Sequence, residues 1–386
     1  MKRINFILIG LVASVLLFGI SSCTQGNASS TIEAESMDQS AVPATLAKFE
    51  PKEEKVLVFA GQDLESIGGL PEYNNGYADH FPIPAGVTLY TGIGPNDGSF
   101  GGKNKTGLQG IYETMDSGNG PSNMKLLMET ELFRHSMLAI GLSMVNNEKK
   151  VAAGELDENI KKLGVFLLSL GERPVFLRIG YEFDGHPWNH YDKESWKTAY
   201  KRIKDQLDSM GVKNTAYVWQ SVGWVSDPYE LEEWYPGDAY VDWCAFSFFD
   251  RWREVQMLDF ARRKGKPVFI AEASATISSP TSKFDGKTKE TLLGNPQQAA
   301  EAWEKWFVPF FDMIENNRDV IKAIHYINCN WKVRPMWFEN PTFQDVDARI
   351  QESPEIMTKW KEKMNNDLYL NASVDLMDHI LKTTDN

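Results

Sequence analysis

The sequence predicts an α/β fold, a (β/α)8 TIM barrel in one domain. Three observations carry this. Short apolar runs of strand length alternate with amphipathic segments over most of the chain, the pattern of a parallel sheet with crossover helices. The runs number eight, at residues 55–60, 86–90, 136–142, 174–179, 215–220, 241–248, 267–271 and 323–328. They occupy roughly 310 residues, more than the about 250 usual for a closed barrel. An open, doubly wound sheet is the alternative, and it would normally carry a phosphate loop or dinucleotide fingerprint. Neither appears: Gly101-Gly102-Lys103-Asn104 lacks the spacing and the Ser/Thr of a P-loop.

In chain order, residues 1–22 read as a segment outside the fold. Lys2 and Arg3 form a positive start, and the apolar run 4–20 is too short, and too soon followed by polar residues, for a secure membrane span. The run ends in Ile20-Ser21-Ser22-Cys23, which resembles a bacterial lipobox. That resemblance implies cleavage leaving Cys23 as a lipidated N-terminus; an ordinary secretory signal is the alternative. The expected location is the bacterial cell envelope, with the lipid as the only membrane contact. Residues 23–50, rich in Ser, Thr, Ala, Gln and Glu without an apolar period, read as a flexible tether. The barrel is expected over 51–371 and a tail over 372–386, in a chain expected to be a monomer.

Three helices are legible. Ile160, Leu163, Phe166, Leu167 and Leu170 share one face, ended by Gly171. Trp196, Ala199, Tyr200, Ile203, Leu207 and Met210 make a second, stopped by Gly211. Asn295 as N-cap and Pro296 at the first helical position open a third, which buries Ala299, Trp303, Trp306, Phe307 and Phe310. Residues 95–120, rich in Gly, Asn, Ser and Asp, read as a long loop. Cys244 and Cys329 lie inside apolar strand-like runs, so they read as buried hydrophobes too far apart for a disulfide.

The formal charge of −13 becomes −15 without Lys2 and Arg3, since residues 1–22 hold no acidic residue. That argues against a nucleic-acid partner, which needs a basic surface. In a parallel barrel, functional groups sit at the C-terminal ends of strands. The fourth run leads directly into Glu182-Phe183-Asp184-Gly185 and the seventh into Glu272. Two carboxylates facing each other across a cleft can cleave a glycosidic bond, one donating a proton and the other attacking the anomeric carbon. The neighbouring residues suit a polysaccharide: Arg178 and Tyr181 before Glu182, Trp188 and Asn189 after it, Trp219, Gln220 and Trp224 at the fifth run, and Tyr326, Asn328 and Trp331 at the eighth. Aromatic faces stack on sugar rings while amides bond their hydroxyls. The tryptophans, none before Trp188, point to the later strands as the glycan-holding half of the rim.

Four segments carry a family resemblance: 178–185, Trp234-Tyr235-Pro236-Gly237-Asp238-Ala239-Tyr240-Val241-Asp242-Trp243, 266–272 and Ala348-Arg349-Ile350-Gln351. In order and spacing they resemble clan A retaining glycoside hydrolases, nearest to family 26, known for endo-β-mannanases with β-glucanases and xylanases among the others. The resemblance implies that Glu182 is the acid/base and Glu272 the nucleophile, with no cofactor. Two departures separate this chain from a mannanase. Tyr181 stands where the family has His before the acid/base, and Phe249 stands where a Tyr usually contacts the nucleophile. Arg251, Arg253, Lys332 and Arg334 near the expected mouth are either ordinary salt-bridging residues or contacts for an anionic glycan. No metal site is expected, since Pro187 interrupts the His186 to His190 spacing. The rival reading is a surface glycan-binding lipoprotein that no longer catalyses; retention of both strand-end glutamates argues for an enzyme.

Overall fold

A computed structural model describes residues 46–97, 105–223, 228–249, 254–278 and 288–381. Eight strands form the barrel: β1 (Val56–Ala60), β2 (Gly86–Gly92), β3 (Met137–Ser143), β4 (Val175–Ile179), β5 (Thr215–Ser221), β6 (Trp243–Phe248), β7 (Val268–Ala273) and β8 (Ile321–Tyr326). Each pairs in parallel with the next, and β8 pairs back onto β1, so the barrel closes on itself; the short strand Tyr369–Leu370 adds in parallel to the start of β1.

The interior is filled by Leu57, Phe59, Ala139, Phe176, Val218, Ala245, Phe269 and Ala323, large residues set against small ones. Phe59 lies 5.3 Å from Phe176 and 4.8 Å from Phe269 between ring centroids. Gly86 on β2 is required by this packing, because a Cβ there would stand 2.1 Å from the Phe59 ring. The alternate residues of the strands face the helices.

The helix Lys193–Ser209 buries Trp196, Ala199, Tyr200, Ile203 and Leu207, and the Asp192 carboxylate caps its start by accepting from Ser195 N–H at 2.9 Å. Asp157–Ser169 buries Ile160, Leu163, Phe166 and Leu167 and ends before Gly171, which takes φ +61°. Asn295 caps Pro296–Ala302 as its sequence predicts, but the continuation is not one α-helix. Trp303–Phe307 forms a π turn, with Val308 N–H donating to Trp303 C=O. Pro309 has no N–H to give to the Lys305 carbonyl, and the wider turn absorbs that missing bond. Trp303 is left half-buried while Trp306, Phe307 and Phe310 are buried.

The folded unit reaches beyond 51–371 at both ends. Phe49 is buried against Phe176, Lys48 C=O accepts from Trp243 Nε1 at 2.7 Å, and Lys48 Nζ donates to Thr215 C=O at 2.8 Å. In the segment expected as a tail, the helix Val374–Leu381 buries Leu376 and Ile380 in the same interior cluster. These residues cover apolar surface that an open barrel end would expose, and a fully buried Phe contributes roughly 2 kcal/mol. Cys244 and Cys329 are free and buried. Among the described residues no helix is long and apolar enough to cross a membrane.

Candidate active site

At the C-terminal end of the barrel lies a cleft of about 280 Å3, lined by Gln62, Tyr90, Asn119, Tyr181, Glu182, Trp188, Phe249, Glu272, Trp331, Met336, Trp337 and Asn340. Both strand-end glutamates reach it by breaking a regular backbone pattern.

On β7, Phe269 pairs with Ala245 and Ile270 with Phe246, but the next pair is Glu272 with Ser247. One residue, Ala271, is bulged out of register. Phe269 points into the barrel, so strict alternation would aim Glu272 outward; the extra residue turns it back inside. Glu182 follows β4 through a tight turn in which it takes φ +53°, a left-handed conformation costing a non-glycine about 1–3 kcal/mol. Its surroundings enforce that shape. Asn189 Nδ2 donates to Glu182 C=O at 2.6 Å, Phe183 N–H to Gln220 C=O at 3.1 Å, and Gly185 N–H to Glu182 C=O at 2.8 Å. Asp184 ties the turn to β5 by accepting from Ser221 Oγ at 2.6 Å and Val222 N–H at 2.7 Å. Burial lifts the Asp184 carboxyl to about 6 against these bonds.

The two carboxyls have opposite company. Glu272 Oε1 accepts from Arg178 Nη1 at 2.7 Å and from Tyr90 OH at 3.0 Å. Arg178 is fully buried, with its guanidinium 4.8 Å from the Tyr90 ring centre and 5.4 Å from that of Tyr181. Burial raises the Tyr90 hydroxyl far above its ordinary range, so it stays a donor. Gly141 makes room for this group, since a Cβ there would stand 2.3 Å from the Tyr90 ring and 2.9 Å from Arg178 Nη2. Among the described residues Glu182 has no cation in contact; its Oε1 accepts from Ser247 Oγ. Burial first, and then the charge of Glu272, hold the Glu182 carboxyl well above the usual carboxylate range.

No family model matches the sequence. The chain is 32% identical over 342 residues to a β-1,3-xylanase from Alcaligenes sp, covering 84% of this chain and 66% of that protein. It is 31% identical over 338 residues to a β-1,3-xylanase from Vibrio sp, covering 83% and 67%. The chain belongs to the β-1,3-xylanase family. It spans 66% and 67% of the lengths of these two relatives. Its fold is similar to the solved structure of a family 26 β-mannanase from Bacteroides ovatus, with a TM-score of 0.51 and 17% identity over 83% of this chain and 91% of that one. Relationship and barrel together make it a clan A glycoside hydrolase, as the four sequence segments imply.

Within this xylanase-family barrel, the residues expected to bind substrate separate into three groups. Tyr181, Trp188 and Trp331 line the cleft, and Arg178 lies beneath it on Glu272. Asn189 and Gln220 are buried and bond protein groups: Asn189 fixes the Glu182 backbone, and Gln220 bonds Arg178 and Ser247. Trp219, Tyr326 and Asn328 do not reach the cleft. Ala216, Val218 and Gln220 point into the barrel, so Trp219 faces the helices, stacked on Phe183 at 4.6 Å. On β8, Ala323 points inward, and Tyr326 packs outward on Trp306 and Trp360 with its hydroxyl donating to Ala348 C=O. Asn328 bonds Gln351 and Ile350 N–H and lines a separate pocket of about 300 Å3 with Arg334 and Arg349. Trp224, Arg251 and Arg253 lie outside the described residues, as does Cys23.

The cations have partners: Lys332 pairs with Glu290, and Arg334 with Asp63 and Glu65. This removes Lys332 and Arg334 as free contacts for an anionic glycan. The late-strand tryptophans are mostly core, since Trp196, Trp219, Trp234, Trp243, Trp306 and Trp360 are fully buried, while Trp188, Trp331 and Trp337 line the cleft. Sequence reasoning missed Tyr90, Gln62, Asn119, Ser247 and Trp337. Tyr90 was findable, because it stands near the C-terminal end of β2 and the strand-end rule applies to every strand. It also supplies a phenol to Glu272 from the opposite side of the barrel to Phe249, which lines the cleft and packs on Phe343 at 5.0 Å.

Proposed function

We propose that this chain hydrolyses β-1,3-xylan by retaining double displacement. Glu182 gives its proton to the glycosidic oxygen as Glu272 attacks the anomeric carbon and forms a glycosyl-enzyme. Water then attacks that carbon, Glu182 takes the water's proton, and Glu272 leaves as a carboxylate. The observation that carries the reading is the pairing of two buried glutamates at one cleft, one on a guanidinium and a phenol, the other on a neutral hydroxyl and pushed toward its acid form. The β-1,3-xylanase relatives favour xylan over mannan, and half-exposed Trp188 and Trp337 offer stacking faces in the cleft.

Product analysis on β-1,3-xylan, β-1,4-xylan and β-mannan tests the substrate. Reducing ends released from β-1,3-xylan, with the β-anomer appearing first by NMR, are expected; cleavage of mannan alone, or a first-formed α-anomer, would sink the proposal.

Tyr90→Phe is expected to lower kcat by about 10- to 100-fold with little change in KM, because it removes one of two donors to Glu272 without altering ring volume. Steady-state kinetics would count against the role if kcat stayed at the wild-type level. We also propose export and lipidation at Cys23, on the lipobox-like segment 20–23. Incorporation of labelled fatty acid in cells, absent in Cys23→Ser, is the expected result; equal labelling of both chains would refute it.

A further inference from the structure

Beneath the cleft runs an unbroken set of hydrogen bonds between the two glutamates. Arg178 Nη1 donates to Glu272 Oε1 at 2.7 Å and to Gln220 Oε1 at 2.9 Å; Gln220 Nε2 is 3.0 Å from Ser247 Oγ, and Ser247 Oγ contacts Glu182 Oε1. Arg178, Gln220 and Ser247 are all at most 2% exposed, so solvent does not compete for these bonds.

While Glu182 is ionised, the donor and acceptor roles have one solution. A guanidinium only donates, so Gln220 must present its carbonyl to Arg178 and its amide to Ser247. An amide NH2 only donates, so Ser247 accepts there and spends its single proton on Glu182 Oε1. Glu182 Oε1 is thereby an acceptor, and a proton that this carboxyl takes up with the Ser247 bond kept sits on Oε2.

We propose that Gln220 and Ser247 form a positioning relay, anchored on Arg178, that fixes which oxygen of Glu182 holds the catalytic proton and locks its orientation to that of Glu272. This rests on the acid/base reading of Glu182 given above. The relay explains three choices that packing alone does not. Gln220 points into the barrel where Ala216 and Val218 are apolar, Ser247 continues the inward series of Trp243 and Ala245, and the β7 bulge sets Glu272 opposite Ser247. Among the described residues, the charged groups that act on Glu182 are Glu272 on β7, Asp184 in its own turn and Arg178 on β4; Ser247 is the neutral donor that favours its ionised form.

The test uses the full chain and the variants Ser247→Ala, Gln220→Met, the double variant and Ser247→Thr. On β-1,3-xylan, each single variant is expected to lose about 10- to 100-fold in kcat/KM, and the double variant no more than the worse single one, because either change severs the same relay. In Ser247→Ala the alkaline limb of the pH profile moves upward, since the bond it loses favours the carboxylate. Ser247→Thr, which keeps the hydroxyl, restores both rate and limb. With a dinitrophenyl β-1,3-xylobioside, whose leaving group needs no proton, the losses shrink to a few-fold; a merely structural defect would depress both substrates alike. An unmoved limb, or additive losses equal on both substrates, overturns the relay while wild-type turnover leaves the proposed function standing. Absence of wild-type turnover on both substrates overturns the function and the relay with it.

Discussion

Glu272→Gln is expected to reduce kcat/KM on β-1,3-xylan by about 10^4-fold or more, close to 5.5 kcal/mol of lost transition-state stabilisation. The amide keeps the volume of the carboxylate, and its carbonyl can still accept from Arg178 and Tyr90. What it cannot do is form a bond to the anomeric carbon through the oxygen those donors leave free. The same change has a cost in the fold. Arg178 is fully buried and Glu272 is the carboxylate that pairs with it; removing one partner of a buried pair costs about 3–5 kcal/mol when the remaining charge is left without compensation. Retained amide bonds put this variant below that range, and a lowered Tm is expected beside the lost activity. Activity must therefore be compared with the folded fraction by circular dichroism. Glu272→Ala with added azide separates the two effects: an activated β-xylobioside should yield an α-glycosyl azide, the anion entering from the face Glu272 occupied. A folded Glu272→Gln that keeps a tenth of wild-type activity rules out this residue as nucleophile.

That experiment depends on a residue pair the sequence showed only in half. The apolar runs located all eight strands because burial on both faces of a parallel barrel leaves an uninterrupted hydrophobic signature. Both glutamates were legible for the complementary reason, that a charge directly after such a run has nowhere apolar to go. Which face each neighbouring side chain takes was less legible. Alternation along β5 separates Trp219 from Gln220 once Ala216 and Val218 are known to point inward, and it assigns Tyr326 to the helix side in the same way. The β7 bulge is different in kind. It exists in the pairing between strands, and no local property of Ala271 announces it. Tyr90 and Glu272 are 182 residues apart, so their bond becomes visible only when the barrel closes.

The acid limb of the mechanism gives the second large effect. Glu182→Gln is expected to lower kcat/KM on xylan by about 10^2- to 10^4-fold, with far smaller loss on an activated aryl glycoside. In the wild type, burial and the Glu272 charge raise the Glu182 carboxyl above its ordinary 4.5. The proposed acid must be protonated, so activity is expected to persist as pH rises past 4.5 and to fall as pH passes the raised value. Stability follows the same sign. The folded state holds this proton more tightly than the unfolded chain, so the stabilisation is complete below 4.5 and is lost as pH rises through the folded value. Glu182→Gln removes that titration, and its Tm relative to wild type should improve from acid to mild alkali. The Glu272 charge is one of three raising causes, with burial and the charge of Asp184, so neutralising it must bring Glu182 down. In the proposed mechanism, forming the glycosyl-enzyme would do this chemically, since the ester carries no charge. The acid of the first step then becomes a stronger candidate for base in the second, without any side chain moving. Carbon-13 NMR titration of Glu182 in wild type and in Glu272→Gln measures the shift directly. A Glu182 that titrates at the same pH in both chains would remove the electrostatic coupling on which this reversal of role depends.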